Sequence, residues 1–233
     1  MSFHIIRSVA RKKAKKTVGF FRKKPKRADQ NLPLGVAIDR LVDIPGATLS
    51  TFSGIIEFDF PSFPLSIEAI GMIDLGDGAM AYRCYLHNTP AFLQVVSENG
   101  EAVECRLYVL DEEVYPPSEK EWQRWLNNQD GIIGSPEVLH GTGKEFSYLR
   151  EWMDGDTQVE PVRVNESIIK NPYDDNLVQE SQETMSYFRV ATGDPHDLDD
   201  PERIDEFLLI NAGEGVIELY LGVDLLLEEV SVI

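Results

Sequence analysis

Apolar and polar residues alternate between positions 66 and 110, and short turn signals interrupt the alternation at the spacing of β-hairpins. The dipeptides Asp77-Gly78 and Asn99-Gly100 are typical of two-residue hairpin turns, because both residues of such a turn adopt positive φ. The stretch therefore predicts four strands that form two successive antiparallel hairpins.

The turn positions also predict which residues pair across each hairpin. The pairs expected in the first hairpin are Leu75 with Met80, Ile73 with Tyr82, Gly71 with Cys84 and Ala69 with Leu86. Those expected in the second are Val96 with Val103, Gln94 with Cys105 and Phe92 with Leu107. Each set lies on one face of its hairpin and is predicted to face the core, with Gln94 as the exception.

One helix is clearly indicated after these hairpins. Ser118 and Glu121 have the spacing of a capping box, which places a helix start at residue 118. Trp122, Trp125 and Leu126 then recur at i, i+3 and i+4. Aromatic residues at that spacing are more typical of the buried face of a helix on a sheet than of a partner-binding surface.

Further apolar runs predict more strands. Residues 55–60 are expected to form an edge strand, because Pro61 and Pro64 follow them. Strands are also predicted at 146–152, 185–189, 207–211 and 216–223, the last two joined as a hairpin. The predicted class is α+β, a mainly antiparallel meander of hairpins with a few short helices and a basic N-terminal arm. We expect residues 1–30 to be arm and linker and residues 31–233 to form one acidic domain.

Charge is distributed very unevenly along the chain. Residues 1–27 contain eleven of the 22 Lys and Arg residues and no Asp or Glu. The arm therefore has a formal charge of +11, and the remainder, with 11 basic and 40 acidic residues, has a charge of −29. A basic arm is attracted to phosphate or anionic lipid, and an acidic body is repelled by both.

The arm has an amphipathic pattern at helical spacing, with apolar residues on one side and most basic residues opposite. Such a segment can lie at a membrane surface, with its cations facing anionic headgroups. The residues predicted to bind a membrane or another anion are Arg7, Arg11, Lys12, Lys15, Lys16, Phe20, Phe21, Arg22 and Lys23. The alternatives are a disordered tail, docking on the acidic body, and nucleic-acid binding, which an acidic body opposes.

The sequence favours a cytoplasmic location. No apolar run is long enough to span a bilayer or to form a secretory signal. Cys84 and Cys105 lack any C-x-x-C spacing and are too few for a disulfide framework, so we expect both to be free thiols in the core.

Known catalytic motifs are not found, so the chain is not expected to be an enzyme, and no cofactor or small-molecule substrate is predicted. The alternative is a metal-dependent module or enzyme that uses the acidic loop 194–202. Its candidate metal ligands are Asp194, His196, Asp197 and Asp199. A simpler interpretation is that Asp200 caps a turn that begins with Pro201.

Four segments taken together resemble the YjfK-like bacterial family of unknown function. They are Ile73-Asp74-Leu75-Gly76, Phe92-Leu93-Gln94-Val95, the run from Pro117 to Leu126, and Leu219-Tyr220-Leu221-Gly222-Val223-Asp224. The resemblance covers nearly all of residues 34–233. It implies a bacterial protein and, by family context, a protein partner of the phage-shock-like membrane coat kind, but no catalytic residues.

The sequence therefore predicts an accessory or adaptor protein of the bacterial cytoplasm. Its acidic β-rich domain is expected to bind a protein partner, and its basic arm is expected to contact the anionic inner-membrane surface. Nucleic-acid association through the arm is the further alternative.

Overall fold

The computed structural model describes residues 26–127, 129–141, 143–153, 155–174, 176–197 and 200–233. The strands in these ranges are β1 Leu41–Asp43, β2 Leu65–Gly76, β3 Ala79–Leu86, β4 Ala91–Glu98, β5 Glu101–Val114, β6 Glu137–His140, β7 Phe146–Arg150, β8 Val162–Ile169, β9 Val178–Thr192, β10 Ile204–Gly213, β11 Val216–Asp224 and β12 Ser231–Val232. The helices are α1 Gly46–Thr51 and α2 Glu119–Leu126, with short 3-10 turns at Pro33–Gly35 and Leu227–Glu229.

Eight of these strands form a closed antiparallel barrel. Its order is β2, β3, β4, β5, β11, β10, β9 and β8, and β8 closes it by pairing with both β9 and β2. Four further strands extend the wall, with β1 and β12 beyond β2, and β7 and β6 beyond β9. Every pairing is antiparallel, which leaves the eight barrel strands without an open edge.

The predicted α+β class is therefore wrong, because the fold is a mostly β barrel and only 10% of the described residues are helical. The predicted meander is wrong as well, since the strands do not pair only in chain order. The pairings that close the barrel join β2 to β8 and β5 to β11, which lie far apart in sequence. Hydrophobic periodicity reports which face of a strand is buried, and it carries no information about such distant partners.

The predicted hairpin turns are confirmed. Asp77 and Gly78 have φ of 50° and 83°, and Asn99 and Gly100 have φ of 51° and 88°. Both residues of each turn thus adopt the left-handed conformation that a type I′ hairpin requires. The predicted hairpin between residues 207–211 and 216–223 also forms, as β10 and β11.

The predicted register of both hairpins is wrong by one residue, because each contains a β-bulge close to its turn. In the first hairpin, Leu75 is the extra residue, and Ile73 pairs with Ala81 instead of Tyr82. In the second, Val103 is the extra residue, and the pairing shifts in the same way. A bulge adds a residue to one strand, so every side chain beyond it moves to the opposite face.

The shifted register separates an apolar outer face from a lumenal face. On β4 and β5, Leu93 pairs with Leu107 on the outer face, whereas Gln94 pairs with Arg106 on the lumenal face. The sequence pattern places Gln94 as a polar residue on the predicted core face. In the observed register Gln94 lies on the lumenal face, opposite Arg106. The inward direction of the lumenal side chains follows from contacts between strands that are not neighbours, such as Arg83 of β3 with Gln182 of β9.

Two covers bury the outer face. On the wall formed by β2 to β5, the cover is the segment before β2, whose buried residues include Val36, Val42 and Phe52. On the wall formed by β9 to β11, Trp122 and Trp125 of α2 pack against buried residues such as Leu208. The predicted packing of this helix face on the sheet is thus confirmed, although its side chains are only partly buried. The Ser118 side chain accepts a hydrogen bond from the backbone N of Glu121 as predicted.

The predicted edge strand at 55–60 is not present. This segment is an irregular turn in which Phe58 packs against both outer clusters and stacks edge-to-face on Phe60 at 5.2 Å. Its alternating apolar residues therefore serve to fill the gap between the two covers rather than to extend the sheet.

The packed part of the chain includes the last residue of the basic arm. Arg27 donates two hydrogen bonds of 2.8 Å to Asp29, and Asp29 also accepts one from the backbone N of Ile38. Residues 1–25 lie outside the described residues, so the predicted division into arm and domain stays a prediction. Among the helices that the structure describes, none has the length and apolar character needed to cross a bilayer.

Candidate functional site

The lumen of the barrel is polar and aromatic, in contrast to the apolar outer face. It contains two buried arginines, Arg83 of β3 and Arg106 of β5, with exposed fractions of 2% and 5%. A buried guanidinium is costly unless carboxylates and other acceptors surround it. The partners of these two side chains therefore define the chemistry of the lumen.

Arg83 pairs with Glu166 of β8, which is completely buried. Its Nη1 lies 3.2 Å from Glu166 Oε2 and 3.2 Å from Gln182 Oε1, and the hydroxyl of Tyr85 donates to Glu166 Oε1 at 2.7 Å. Glu166 occupies the space beside Gly71, where a Cβ would lie 1.5 Å from its Oε1. A glycine at position 71 is thus needed for the ion pair to form.

The hydrogen bonds of Arg83 leave part of its guanidinium unused. Its distances of 3.2 Å to Glu166 and 3.4 Å from Nε to Gln94 are long for a charge-assisted bond, which is normally about 2.7–2.9 Å. Nη2 of Arg83 makes no hydrogen bond to any residue that the structure describes. Burial alone lowers the pKa of Arg83, but the Glu166 carboxylate raises it, so the side chain remains a cation.

Arg106 is held by a more complete set of partners. It donates to Asp224 at 2.7 Å and to Glu151 at 3.2 and 3.3 Å, and its guanidinium stacks on the ring of Phe207 at 3.3 Å. Glu151 also accepts a short hydrogen bond from Ser186. Glu151 comes from the loop after β7, so this network fixes that loop to the end of the barrel.

The same loop is positioned by Arg150, the last residue of β7. Its guanidinium donates to the backbone carbonyl oxygens of Gly134, Met153, Gly155 and Thr157 at 2.7–2.9 Å. One buried cation therefore holds together two loops that contribute no strand to the barrel. As a result, Glu151 and Trp152 are fixed beside the opening of the lumen.

A cavity of about 240 Å³ lies at this end of the barrel, between the two arginines. Its walls are mainly apolar, formed by Ile73, Ala81, Val96 and Val164, with Leu75 and Trp152 also in contact. Its polar groups are Arg83, Gln94, Glu104, Arg106 and Glu151. We refer to this cavity as the Arg83 pocket. Apolar walls with a few convergent polar groups are typical of small-molecule sites.

The opposite end of the barrel has a cavity of about 250 Å³ with a different lining. Glu68, Glu180 and Glu218 lie there, and Lys170 is the one cation in the lining. Burial and neighbouring carboxylates raise the pKa of Glu180 and of Glu218 above the ordinary value of 4.5. This end is thus acidic, whereas the Arg83 pocket combines both signs of charge with apolar walls.

The site residues predicted in the arm cannot be placed. Arg7, Arg11, Lys12, Lys15, Lys16, Phe20, Phe21, Arg22 and Lys23 all lie outside the described residues. Membrane or anion binding by these residues stays a prediction.

Of the predicted metal ligands, the structure describes Asp194, His196 and Asp197, and Asp199 lies outside the described residues. Asp200 accepts hydrogen bonds from the backbone N of Asp194 and of Glu202 at 2.7 and 2.9 Å, which confirms that it caps a turn. Asp194 in turn accepts from the backbone N of His196 at 2.8 Å. Within the described ranges, no three His, Cys, Asp or Glu side chains come close enough to share a metal ion. Because Asp199 lies outside the described residues, a metal site that includes it stays a prediction.

Both cysteines lie in the apolar outer face, as predicted. Cys84 and Cys105 are free thiols with exposed fractions of 0% and 1%. Burial raises the pKa of Cys105 to about 12, so its thiol is protonated and unreactive at neutral pH.

Arg83, Arg106 and Glu166 were not recognised from the sequence as functional candidates. The available signal was the polar Gln94 on a face that was otherwise predicted to be apolar. With the bulges allowed for, the residues that share a face with Gln94 include Arg83 and Arg106. Glu166 gave no local signal, because its partner strand β2 lies about ninety residues earlier in the chain.

Comparison with known proteins gives one match. A family model described as protein of unknown function (DUF2491) matches residues 9–221. No curated protein and no solved structure matches the chain. The match confirms the predicted resemblance to a family of unknown function, and the finer identification as YjfK-like stays a prediction.

Proposed function

We propose that the chain, which belongs to the DUF2491 family of proteins of unknown function, is a binding protein that holds a small molecule in the Arg83 pocket. The observation that carries this proposal is the buried Arg83 guanidinium, whose Nη2 is not engaged by any described residue and which lines a cavity with apolar walls. A ligand that accepts a hydrogen bond from Nη2 recovers a favourable interaction that the protein alone does not make.

Binding suits the charged groups of this pocket better than catalysis does. The Glu166 and Glu151 carboxylates are each engaged by an arginine and a hydroxyl group. A general base must be able to accept a proton from its substrate, whereas these carboxylates already accept hydrogen bonds within the protein. We therefore propose an accessory protein and not an enzyme.

Ligand-observed NMR on the full chain tests the proposal. Benzoate, benzylamine and L-leucine serve as probes, because each is small enough for a cavity of this volume. Saturation transfer to at least one probe is expected, and it should disappear in Ala81→Leu, which adds side-chain atoms to the pocket wall. Arg163→Gln, on the exposed outer face of β8, is the matched control and should bind as the parent does. Absence of transfer to all three probes contradicts the proposal.

The segregation of charge favours a second role for the same protein. We propose that residues 1–27 attach it to the anionic cytoplasmic face of the inner membrane, where the acidic body can meet a protein partner. Arg27 itself pairs with Asp29 and lies over the ring of Tyr173, so the cations proposed to meet the membrane precede it in the sequence.

Sedimentation with vesicles tests the second role. The full chain is expected to pellet with vesicles that contain phosphatidylglycerol and to stay in solution with phosphatidylcholine alone. Lys12→Gln, Lys15→Gln and Lys16→Gln together should reduce pelleting, and rising salt should reduce it further. Equal pelleting with both lipids contradicts membrane attachment by charge, and retention on RNA at physiological salt instead supports the nucleic-acid alternative.

A further inference from the structure

We infer that the ligand of the Arg83 pocket is a zwitterion with an apolar side chain, that is, a free amino acid of the leucine or phenylalanine kind. This inference rests on the proposed binding function and adds the chemical class of the ligand. It follows from three features of the pocket, which are the Nη2 donor of Arg83 that no described residue engages, its two carboxylates and its apolar walls.

The first feature selects a carboxylate. A guanidinium presents its donors in a planar fork that matches the two oxygens of a carboxylate. In Arg83 the Nη1 edge faces Glu166 and Gln182, and Nε makes only a 3.4 Å contact with Gln94. A ligand carboxylate can therefore accept from Nη2 without displacing Glu166 from its bond to Tyr85.

The second feature selects a cationic group on the same ligand. Glu104 and Glu151 line the pocket together with Arg83, and their side chains are 44% and 26% exposed. Both contact Arg106, but two carboxylates share this one guanidinium, and Asp224 also pairs with it. The carboxylates around Arg106 therefore outnumber it, which leaves negative potential for a ligand ammonium group.

The charge of the whole body strengthens this argument. Residues 28–233 have a formal charge of −29, which repels a ligand that is only an anion. A zwitterion has no net charge and avoids this long-range repulsion. It can still place its carboxylate at Arg83 and its ammonium group toward Glu104.

The third feature sets the size and character of the side chain. The pocket volume of about 240 Å³ lies just below the roughly 300–1,000 Å³ of most small-molecule sites. A cavity of this size suits a ligand as large as one amino acid rather than a nucleotide. Ile73, Ala81 and Val164 are buried apolar wall residues and favour an aliphatic or aromatic side chain.

Titration calorimetry with three related probes tests the inference. L-leucine has both charges, N-acetyl-L-leucine has only the carboxylate, and L-leucinamide has only the ammonium group. We expect L-leucine or L-phenylalanine to bind tightest, and each single-charge analogue to bind about 10- to 100-fold more weakly, as expected for loss of a charged hydrogen bond.

Two substitutions assign each charge of the ligand to its partner. Arg83→Gln should weaken binding of L-leucine and N-acetyl-L-leucine and should not weaken binding of L-leucinamide. Glu104→Gln should weaken L-leucine and leave N-acetyl-L-leucine unchanged. Glu104 is partly exposed, so its variant keeps the test valid if Arg83→Gln fails to fold. Arg163→Gln is the matched control, because it removes the same charge from the outer face.

The outcomes separate this inference from the proposed function. If benzoate binds as tightly as L-leucine and Glu104→Gln changes the affinity for neither ligand, the zwitterion assignment is wrong. The proposed binding function then stands. If L-leucinamide binds tightest, the pocket is a cation site and the assignment is again wrong. If no probe binds, both proposals are overturned.

Discussion

The outer face and the lumenal face of the barrel wall are built from neighbouring residues of the same strands, yet they differ in the side chains they bury. The outer face is mainly apolar, with the buried pair of Arg189 and Glu206 as an exception, and the lumenal face holds more charged groups. On β5, the outer Leu107 is completely buried among apolar residues, whereas the lumenal Arg106 is buried among carboxylates and aromatic rings. The two larger apolar clusters thus lie between the barrel and its covers, and the smaller clusters around Phe92 and Ile73 lie inside the barrel.

This difference shows how the protein can place charges at its centre. Small barrels of eight strands are ordinarily filled by their own side chains. Here the covers supply the apolar burial outside the wall, so the lumen need not be apolar. Its ion pairs leave a pocket at one end, and this is where a ligand can bind.

The largest expected effect on stability follows from the loss of one partner of the lumenal ion pair between Arg83 and Glu166. Arg83→Met leaves Glu166 as an unpaired buried charge, because this carboxylate is completely buried and retains only the bond from Tyr85. We expect a loss of about 4 kcal/mol in the free energy of unfolding, measured by urea denaturation.

The double variant Arg83→Met with Glu166→Leu provides the control. Removing both charges removes the desolvation penalty, so most of the lost stability should return. If the double variant is as unstable as Arg83→Met, the lumen is stabilised by the shape of these side chains and not by their pairing.

An outer-face substitution should cost somewhat less. Leu107→Ala removes buried side-chain atoms from the cluster between β5 and the cover, and we expect a loss of about 3 kcal/mol. Urea denaturation measures this effect as well. Removal of a charged partner cannot restore this stability, in contrast to the ion pair, because the loss comes from a cavity and not from an unpaired charge.

The local features of this fold could be predicted from the sequence, but the closure of the barrel could not. The turns at Asp77-Gly78 and Asn99-Gly100 were predictable, because the left-handed backbone of a tight hairpin favours these residue types. The bulges at Leu75 and Val103 were not, since an apolar residue fits the alternating pattern whether it is paired or extra. The face of Arg83, and so the candidate site, depended on the position of these bulges.

The pH dependence of stability tests the acidic end of the lumen. Burial and carboxylate neighbours raise the pKa of Glu180 and Glu218 above 4.5. A raised carboxyl pKa contributes stability that is fully present below the unfolded value and is lost as pH rises through the folded value. Lowering the pH from 8 to 5 should therefore stabilise the protein, seen as a higher melting temperature.

Two observations check the source of that effect. The pair Glu180→Gln and Glu218→Gln should reduce the dependence between pH 8 and 5 but not abolish it, because the pKa values of Glu104 and Asp224 are also raised. Further acidification should reverse the trend, because hydrogen bonds from Arg27 and Ile38 outweigh burial and lower the pKa of Asp29 below 3.8. Stability from Asp29 is lost as pH falls through that lowered value. A melting temperature that falls steadily from pH 8 to 5 contradicts the assignment.

The smallest expected effect distinguishes the observed register from the regular one. Val103 is the bulge residue of β5 and is 50% exposed, so Val103→Ser should change the free energy of unfolding by less than about 0.5 kcal/mol. In the regular two-residue register, Val103 would pair with Val96 on a core face, and the same substitution would cost more than about 1 kcal/mol. Urea denaturation separates these values, with Val95→Ser, at a completely buried outer position, as the matched control that must be costly. A large loss at Val103 would place Gln94 back on the core face and Arg83 out of the lumen, and the pocket argued from Arg83 would then lose its basis.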